Sequence, residues 1–490
     1  MSPDLLIIVV LALPLLTALA IFILRSAPDL REAMTVAGSL GLFASVIWLV
    51  LQMLGGQDVS IVLGQAAPGL EFAFKLEPLG ALFALVASGL WIVNSLYSIG
   101  YMRGNRERNQ TRFYICFALA LFGAMGVALS GNLFTLFVFY ELLTLSTYPL
   151  VAHKGNDKAR KGARIYLMTL LGTSIGLFLV AIVWTFSLAG SLDFVPGGLL
   201  EGKVDTVTGS IILLMFAFGI GKAALMPFHF WLPHAMVAPT PVSALLHAVA
   251  VVKAGVFTIM KVSIYIFGAD LLADLPAADW VLAIACVTII TSSLIAITKD
   301  NLKARLAYST ISQLAYVTAG AMLATQAGFL GGSLQIATHA MGKISLFMCA
   351  GAIYVATGLT NISDMRGLGR RMPWVFCAFF LASLSIIGIP PLAGSWPKFQ
   401  LMLGAVDAGQ SVVAWVLVVS SLLNIIYLLP IPILGLMPPA GEPEPAPYKR
   451  PEGAPRLVVA APVITALGTF LLFFWIGDIS DFLSPALGGL

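Results

Sequence analysis

Apolar stretches long enough to cross a bilayer follow one another along almost the whole chain, and they leave little room for any other kind of fold. About 20 apolar residues span a membrane. Fourteen such spans are expected, near residues 4–24, 31–53, 77–101, 112–129, 132–152, 163–188, 207–233, 241–267, 278–298, 303–323, 328–357, 374–406, 411–435 and 456–477. Of the 490 residues 59% are hydrophobic and 10% charged, against roughly 45–50% and 25% in soluble domains. A soluble enzyme, a disordered chain and a nucleic-acid binder are thereby excluded. The opening stretch reads as a span, because Arg25 follows its apolar run and no basic segment precedes it. The Pro-rich segment Pro438–Pro455 reads as an exposed loop between the last two spans.

The basic residues test this count. With both termini outside, the loops that then face the cytoplasm hold 20 of the 27 Lys and Arg, and the opposite loops hold two, Lys75 and Lys203. That asymmetry is the positive-inside pattern. The expected fold class is an all-α polytopic membrane protein, multi-pass in a bacterial or archaeal inner membrane. Four cysteines stand singly in apolar runs, so no disulfide framework, metal site or cofactor is expected.

Five lysines are left within spans: Lys222, Lys253, Lys261, Lys343 and Lys398. Against them stands one acid, Glu141, with His247 and His339. Ionisable groups in hydrocarbon are costly and mark ion or proton paths. Lys261, near the end of its span, is expected to snorkel to the interface, and His229 and His234 to be interfacial. For the others a purely structural ion-pair network is disfavoured, since one carboxylate leaves most of the charge uncompensated. Polar neighbours line up with them on helical faces: Gln335, His339 and Lys343; Glu141, Thr144 and Tyr148; Ser309, Gln313 and Tyr316. Such stripes can hold ordered water, which relays protons.

Two spans are too long for one helix and carry helix breakers. One has Gly219, Gly221, Pro227 and Pro233; the other has Gly388, Pro390, Pro391, Gly394 and Pro397. Each break lies beside a lysine, Lys222 or Lys398. They are five spans apart, so they cross in opposite directions. Broken helices at matching positions of inverted repeats point to a transport site. Spans 4–8 and 9–13 are the expected repeats, giving four parts: N-terminal helices in 1–111, half-channels in 112–267 and 268–435, and a loop and last helix in 436–490.

Several runs resemble the antiporter-like membrane subunits: FVFYELLTLSTYPLVAH at 137–153, GKAALMPFHFWLPHAMVAPTPVSALLHAVAVVKAGVF at 221–257, KDNLKARLAYSTISQLAY at 299–316, THAMGKISLFMCAG at 338–351 and IGIPPLAGSWPKF at 387–399. That family includes the D subunit of Mrp-type Na+/H+ antiporters and the proton-pumping membrane subunits of respiratory complex I. The resemblance implies fourteen helices, inverted five-helix repeats and a proton channel. It places Glu141, Lys222, His247, Lys253, His339, Lys343 and Lys398 on the relay, with Thr144, Tyr148, Gln335, Ser309 and Gln313 in support. Glu141 is expected to pair with Lys222 and hold its proton. A glutamate replaces the lysine of the twelfth helix in the M-type complex I subunit, and the L-type continues into a long lateral helix. The overall character is that of the Mrp D subunit. The resemblance implies a transporter subunit with no autonomous catalysis, no metal or cofactor, and partners that are other membrane subunits of a hetero-oligomeric complex in the lipid bilayer. A proton-pumping subunit of a complex I-like dehydrogenase, membrane-bound hydrogenase or bicarbonate-uptake complex is the alternative. A solute transporter would need a single midplane pocket, where these groups form a line. A quinone-binding redox subunit has no supporting motif, and a scaffold with vestigial channel residues sits poorly with intact Lys222, Lys253 and Lys398.

Overall fold

The computed structural model describes residues 2–245, 250–437 and 453–487. Its first helices, α1 (Pro3–Ile23) and α2 (Pro28–Leu54), each begin with a proline. There the missing N–H lacks an intrahelical partner anyway. A short antiparallel hairpin follows, β1 (Ser60–Ala67) and β2 (Leu70–Lys75). This is the one departure from the all-helical expectation among the described residues. Its cause is local: Leu70, Phe72 and Phe74 alternate with polar or small residues, and Gly69 turns the chain at φ +78°.

Helices α3 (Pro78–Gly104), α4 (Gln110–Ala128), α5 (Leu133–Val151) and α6 (Asp157–Thr173) come next, and α6 runs through one wide turn at Ser174–Phe178 into α7 (Leu179–Ala189). Side chains of Asn132 and Asn156 accept from the first backbone N–H groups of α5 and α6. The chain continues with α8 (Thr206–Gly219), α9 (Trp231–His234), α10 (Thr240–Ala244), α11 (Val251–Val262), α12 (Ala269–Asp274), α13 (Pro276–Thr298) and α14 (Leu302–Met322). Asp205 caps α8, and hydrogen bonds from Thr208 hold its exposed carboxyl below the ordinary range. The remainder is α15 (Gln326–Thr357), α16 (Pro373–Ile387), α17 (Ser395–Asp407), α18 (Ser411–Leu428), α19 (Pro430–Leu436) and α20 (Arg456–Leu487).

Ten helical stretches among the described residues are long and apolar enough to cross a membrane unaided. The other four expected spans fall on α8–α9, α10–α11, α14 and α16–α17. These are interrupted or polar, which is why they fail a simple apolar-length test. Helix α15 is the axis of the second half, buried over most of its 32 residues and packed by α14, α16, α17 and α20, with α3, α10 and α11 touching it from the first half. Outward-facing Leu16, Leu51, Trp280, Trp374 and Trp415 give the apolar periphery a lipid solvates.

Alternate loops meet at opposite ends. At one, Ser130 bridges Phe74, and Asn132 bridges Asp193. At the other, Asn301 bridges Asn361. Lys154, Lys158 and Lys303 share that end in a common cavity. Two of the loops expected to be basic, those carrying Lys154 and Lys303, therefore lie together.

Close approach between helices rests on glycine. A Cβ on Gly80 would collide with the carbonyl oxygen of Ala128, which is backbone and cannot swing away. Gly80→Val is expected to lower stability by about 1–3 kcal/mol through overpacking, read as a lower melting midpoint in detergent. An unchanged midpoint would contradict this packing.

Candidate functional site

The first break brings Lys222 into the interior. Helix α8 stops at Gly219, a tight turn at Gly221–Ala223 holds the lysine, and Ala224 takes φ +56°. Trp231 donates its indole N–H to the carbonyl of Gly221 at 3.0 Å, satisfying backbone the break exposes. The Lys222 amine donates to the carbonyl oxygen of Tyr140 at 2.6 Å and sits 3.1 Å from the centre of the Tyr140 ring. The Tyr140 hydroxyl in turn accepts from the backbone N–H of Lys222 at 3.2 Å.

Glu141 is the partner expected for this amine, and the structure shows no direct ion pair between them. Among the described residues no carboxylate oxygen lies within the 4.0 Å ion-pair limit of Lys222. Both Glu141 oxygens are buried without a hydrogen-bond partner among the described residues. The reason is register: Tyr140 presents its carbonyl and ring face together, and these reach the amine before the neighbouring carboxylate does. Thr144 donates to the same Tyr140 carbonyl at 3.4 Å. Tyr148 is half-buried among apolar neighbours and joins none of these groups.

Helix α11 lies directly on the break. A Cβ on Gly255 would overlap the carbonyl carbon of Lys222 and the nitrogen of Ala223. Two residues earlier on α11 is Lys253, whose Nζ lies 2.6 Å from Nδ1 of His339 on α15. This contact joins the two expected repeats. His247 lies outside the described residues.

One helical turn beyond His339, the Lys343 amine donates to Oγ of Ser309 on α14 at 2.6 Å. Gln335, one turn before His339, donates to Oε1 of Gln313 at 2.8 Å. Gln313, Gln335, Thr338, His339 and Ser385 line a polar cleft narrower than a water molecule in this conformation. The second break sets Lys398 in place much as the first sets Lys222. Gly388 takes φ +93° after α16, and Lys398, early in α17, donates to the carbonyl of Ile387 at 2.7 Å and to Oγ of Ser421 at 2.9 Å. Its Nζ lies 5.3 Å from the centre of the Tyr316 ring.

Helix α18 reaches toward both Lys343 and Lys398. Oγ of Ser309 is 2.8 Å from the hydroxyl of Tyr427, and that hydroxyl donates to Oδ1 of Asn424. Asn424 lies one turn from Ser421, the partner of Lys398. Ser421, Asn424 and Tyr427 are spaced i, i+3, i+6 on an apolar span, a polar stripe like those that singled out the neighbouring helices. Tyr140 gave no such signal, since it acts through its carbonyl and ring.

Lys261 corrects the expectation. It does not snorkel: it is fully buried, with its amine 3.3 Å from Oε2 of Glu77 and donating to the carbonyl of Ser130. The loop after β2 turns Glu77 inward as the residue preceding α3, so a carboxylate meets the amine before it reaches the surface. His229 and His234 are partly exposed, each with its ring Nδ1 against a nearby backbone carbonyl, that of Pro227 or Phe230.

Residues 130–424 match the family described as NADH:quinone oxidoreductase/Mrp antiporter, TM. The chain belongs to that family. It is 32% identical over 429 residues to the N subunit of the NADH-quinone oxidoreductase of Desulforudis audaxviator, covering 86% of this chain and 84% of that protein. With the D subunit of the Na(+)/H(+) antiporter of Alkalihalophilus pseudofirmus it shares 27% over 433 residues, covering 87% and 86%. A chain of the Mrp complex from Dietzia sp. DQ12-45-1b superposes with a TM-score of 0.85 at 24% identity, covering 100% of this chain and 98% of that one. The protein is thus a multi-pass membrane subunit of the antiporter-like fold.

Gly255→Val is expected to push α11 off the break and part Lys222 from Tyr140. In vesicles, transport should fall at least tenfold while the chain still inserts, and normal transport would contradict the close approach.

Proposed function

We propose that this chain is the proton-translocating subunit of a multisubunit cation/H+ antiporter of the Mrp type. Residues 112–267 and 268–435 act as two half-channels. The reading is carried by one observation: Lys253 meets His339 across the repeats, and hydrogen bonds run from Lys343 through Ser309 and Tyr427 to Asn424, one helical turn along α18 from Ser421, the partner of Lys398.

Proton uptake begins at a cavity of 510 Å³ lined by Lys154, Lys303, Tyr101, Thr240 and Tyr354. Thr240 donates to the Tyr101 hydroxyl at 3.4 Å at its floor. Ser243, one turn further along, is buried and without a hydrogen-bond partner among the described residues. His247 follows in sequence, then Lys253. Desolvation disfavours a charged amine and a nearby carboxylate favours it. Glu141 therefore steadies the proton on Lys222 through space, and any displacement of that carboxylate sends charge onward to Lys253. The Lys253 amine and His339 then exchange a proton across 2.6 Å, and Lys343 passes it along α18 to Lys398, which faces the exit. Each transfer raises the electrostatic cost of holding the next proton, so the steps run in order.

Sodium follows a different route. A Na+ ion takes several oxygen ligands, and the relay offers one carboxylate among lysines that repel cations. The cation path therefore belongs to a partner subunit, the other membrane subunits of the complex being the partners. A second reading is a proton-pumping subunit of a complex I-like enzyme, favoured by the 32% identity to an N-type subunit. The same relay serves either complex.

Glu141→Gln and Lys222→Ala are each expected to abolish proton transport in vesicles while the complex still assembles on a native gel; near-normal transport would reject the assignment. Tyr427→Phe removes one hydroxyl linking Lys343 to Lys398. A hydrogen bond of about 1.4 kcal/mol corresponds to roughly tenfold in rate, so transport should slow by that order, and wild-type flux would remove Tyr427 from the path. Reconstituted chain alone should not occlude 22Na+, and occlusion would contradict a proton-only path.

A further inference from the structure

The relay above leaves the buried ion pair of Lys261 and Glu77 unused. Lys261 lies on α11 two helical turns beyond Lys253, about 12 Å along the axis at 1.5 Å per residue. Its amine is enclosed by Oε2 of Glu77 at 3.3 Å, the carbonyl of Ser130, and the ring of Phe194, whose centre is 4.3 Å away. Glu77 has a side chain 9% exposed, so the pair lies just beneath the surface, at the end where the hairpin, the Ser130 turn and the Phe194 loop meet. Tyr265 faces the same carboxylate, and the exposed Lys75 is the next charge nearby.

Between the two lysines, on the same face of α11, is Phe257 at i+4 from Lys253 and i+4 before Lys261. Its ring stacks on Phe83 of α3 with centres 5.0 Å apart. The face therefore reads amine, aromatic pair, amine with carboxylate, then surface. A buried ion pair with no role beyond holding helices together is weakly favourable at best, since desolvation offsets its attraction. A titratable pair on the channel helix, one aromatic layer from a relay lysine, has the arrangement of a gated outlet.

We propose that Lys261 and Glu77 form a second proton exit, serving the first repeat and closed in this conformation by Phe83 and Phe257. The proposal rests on the relay reading. When the rings part and water enters between them, Lys261 hands its proton to Glu77 and takes another from Lys253. Glu77 releases the proton it received at the surface beside Lys75. No electrons move, and each group returns to its starting charge once the proton has left and Lys253 has been reloaded from the relay.

The test uses the assembled complex in proteoliposomes, with an imposed pH gradient and a pH-sensitive dye. Lys398→Met closes the far exit and is expected to cut flux at least tenfold; normal flux in this variant indicts the relay itself, which separates the two failures. On that background Phe257→Ser, or Phe83→Ser should the first fail to assemble, is expected to restore at least a fivefold proton leak. Adding Glu77→Gln should abolish the leak. No restored leak, or a leak indifferent to Glu77→Gln, overturns the proposal. A structural staple is tested separately with Lys261→Met/Glu77→Leu, which swaps the pair for apolar groups in the otherwise native complex. The exit predicts an unchanged melting midpoint in this variant and, once the swap is combined with Lys398→Met and Phe257→Ser, no restored leak; a leak that survives the swap also overturns it.

Discussion

A lysine amine cannot be left bare in hydrocarbon, and the way this chain meets that demand shapes everything near the channel. Five intramembrane amines are buried, and each has an oxygen or nitrogen within hydrogen-bond or ion-pair reach: Tyr140 for Lys222, His339 for Lys253, Glu77 and Ser130 for Lys261, Ser309 for Lys343, Ile387 and Ser421 for Lys398. Among the described residues only one of these five has a carboxylate at contact distance. The others rely on carbonyls, hydroxyls and an imidazole, which stabilise a proton without trapping it as a close carboxylate does. Neutral partners suit groups that must give the proton away.

The same demand explains the breaks. A carbonyl is free to accept from a side chain where the helix that would have used it ends, and Ile387, the last residue of α16, is such a place. Lys222 sits in the corresponding interruption of the first half, held there by Tyr140 from outside and by Trp231 and Gly255 packing from within. Gly255 and Gly394 matter because backbone stands where a side chain would go; a Cβ on Gly394 would run into the carbonyl oxygen of Ser385. The broken segments are stiffly buttressed, so charge at one lysine is felt at a fixed distance by the next.

Much of this was legible in the sequence, because hydrocarbon is an unforgiving solvent. Apolar length located ten of the expected spans among the described residues, and glycine and proline marked the two breaks. The stripe of Gln335, His339 and Lys343 does converge with Ser309 and Gln313, as periodicity suggested. What escaped depended on three-dimensional register. Tyr140 holds Lys222 through its carbonyl, a group every residue has, so no pattern could name it. Glu77 counts as a loop acid by position and becomes a buried one only because the hairpin turns it inward. Tyr427 and Asn424 did carry a readable polar stripe, but α18 holds no charged residue to mark it. The hairpin itself shows period-two alternation, overshadowed by its helical surroundings.

The junction of Lys253 and His339 carries the whole account, since among the described residues it alone joins the halves by direct contact between relay residues. A double-mutant cycle with conservative changes, Lys253→Arg and His339→Gln, tests it by proton flux in reconstituted complexes. If the two groups act as one unit, the double variant transports no worse than the poorer single variant. Losses that multiply, as for independent sites, would show that the proton does not pass between them.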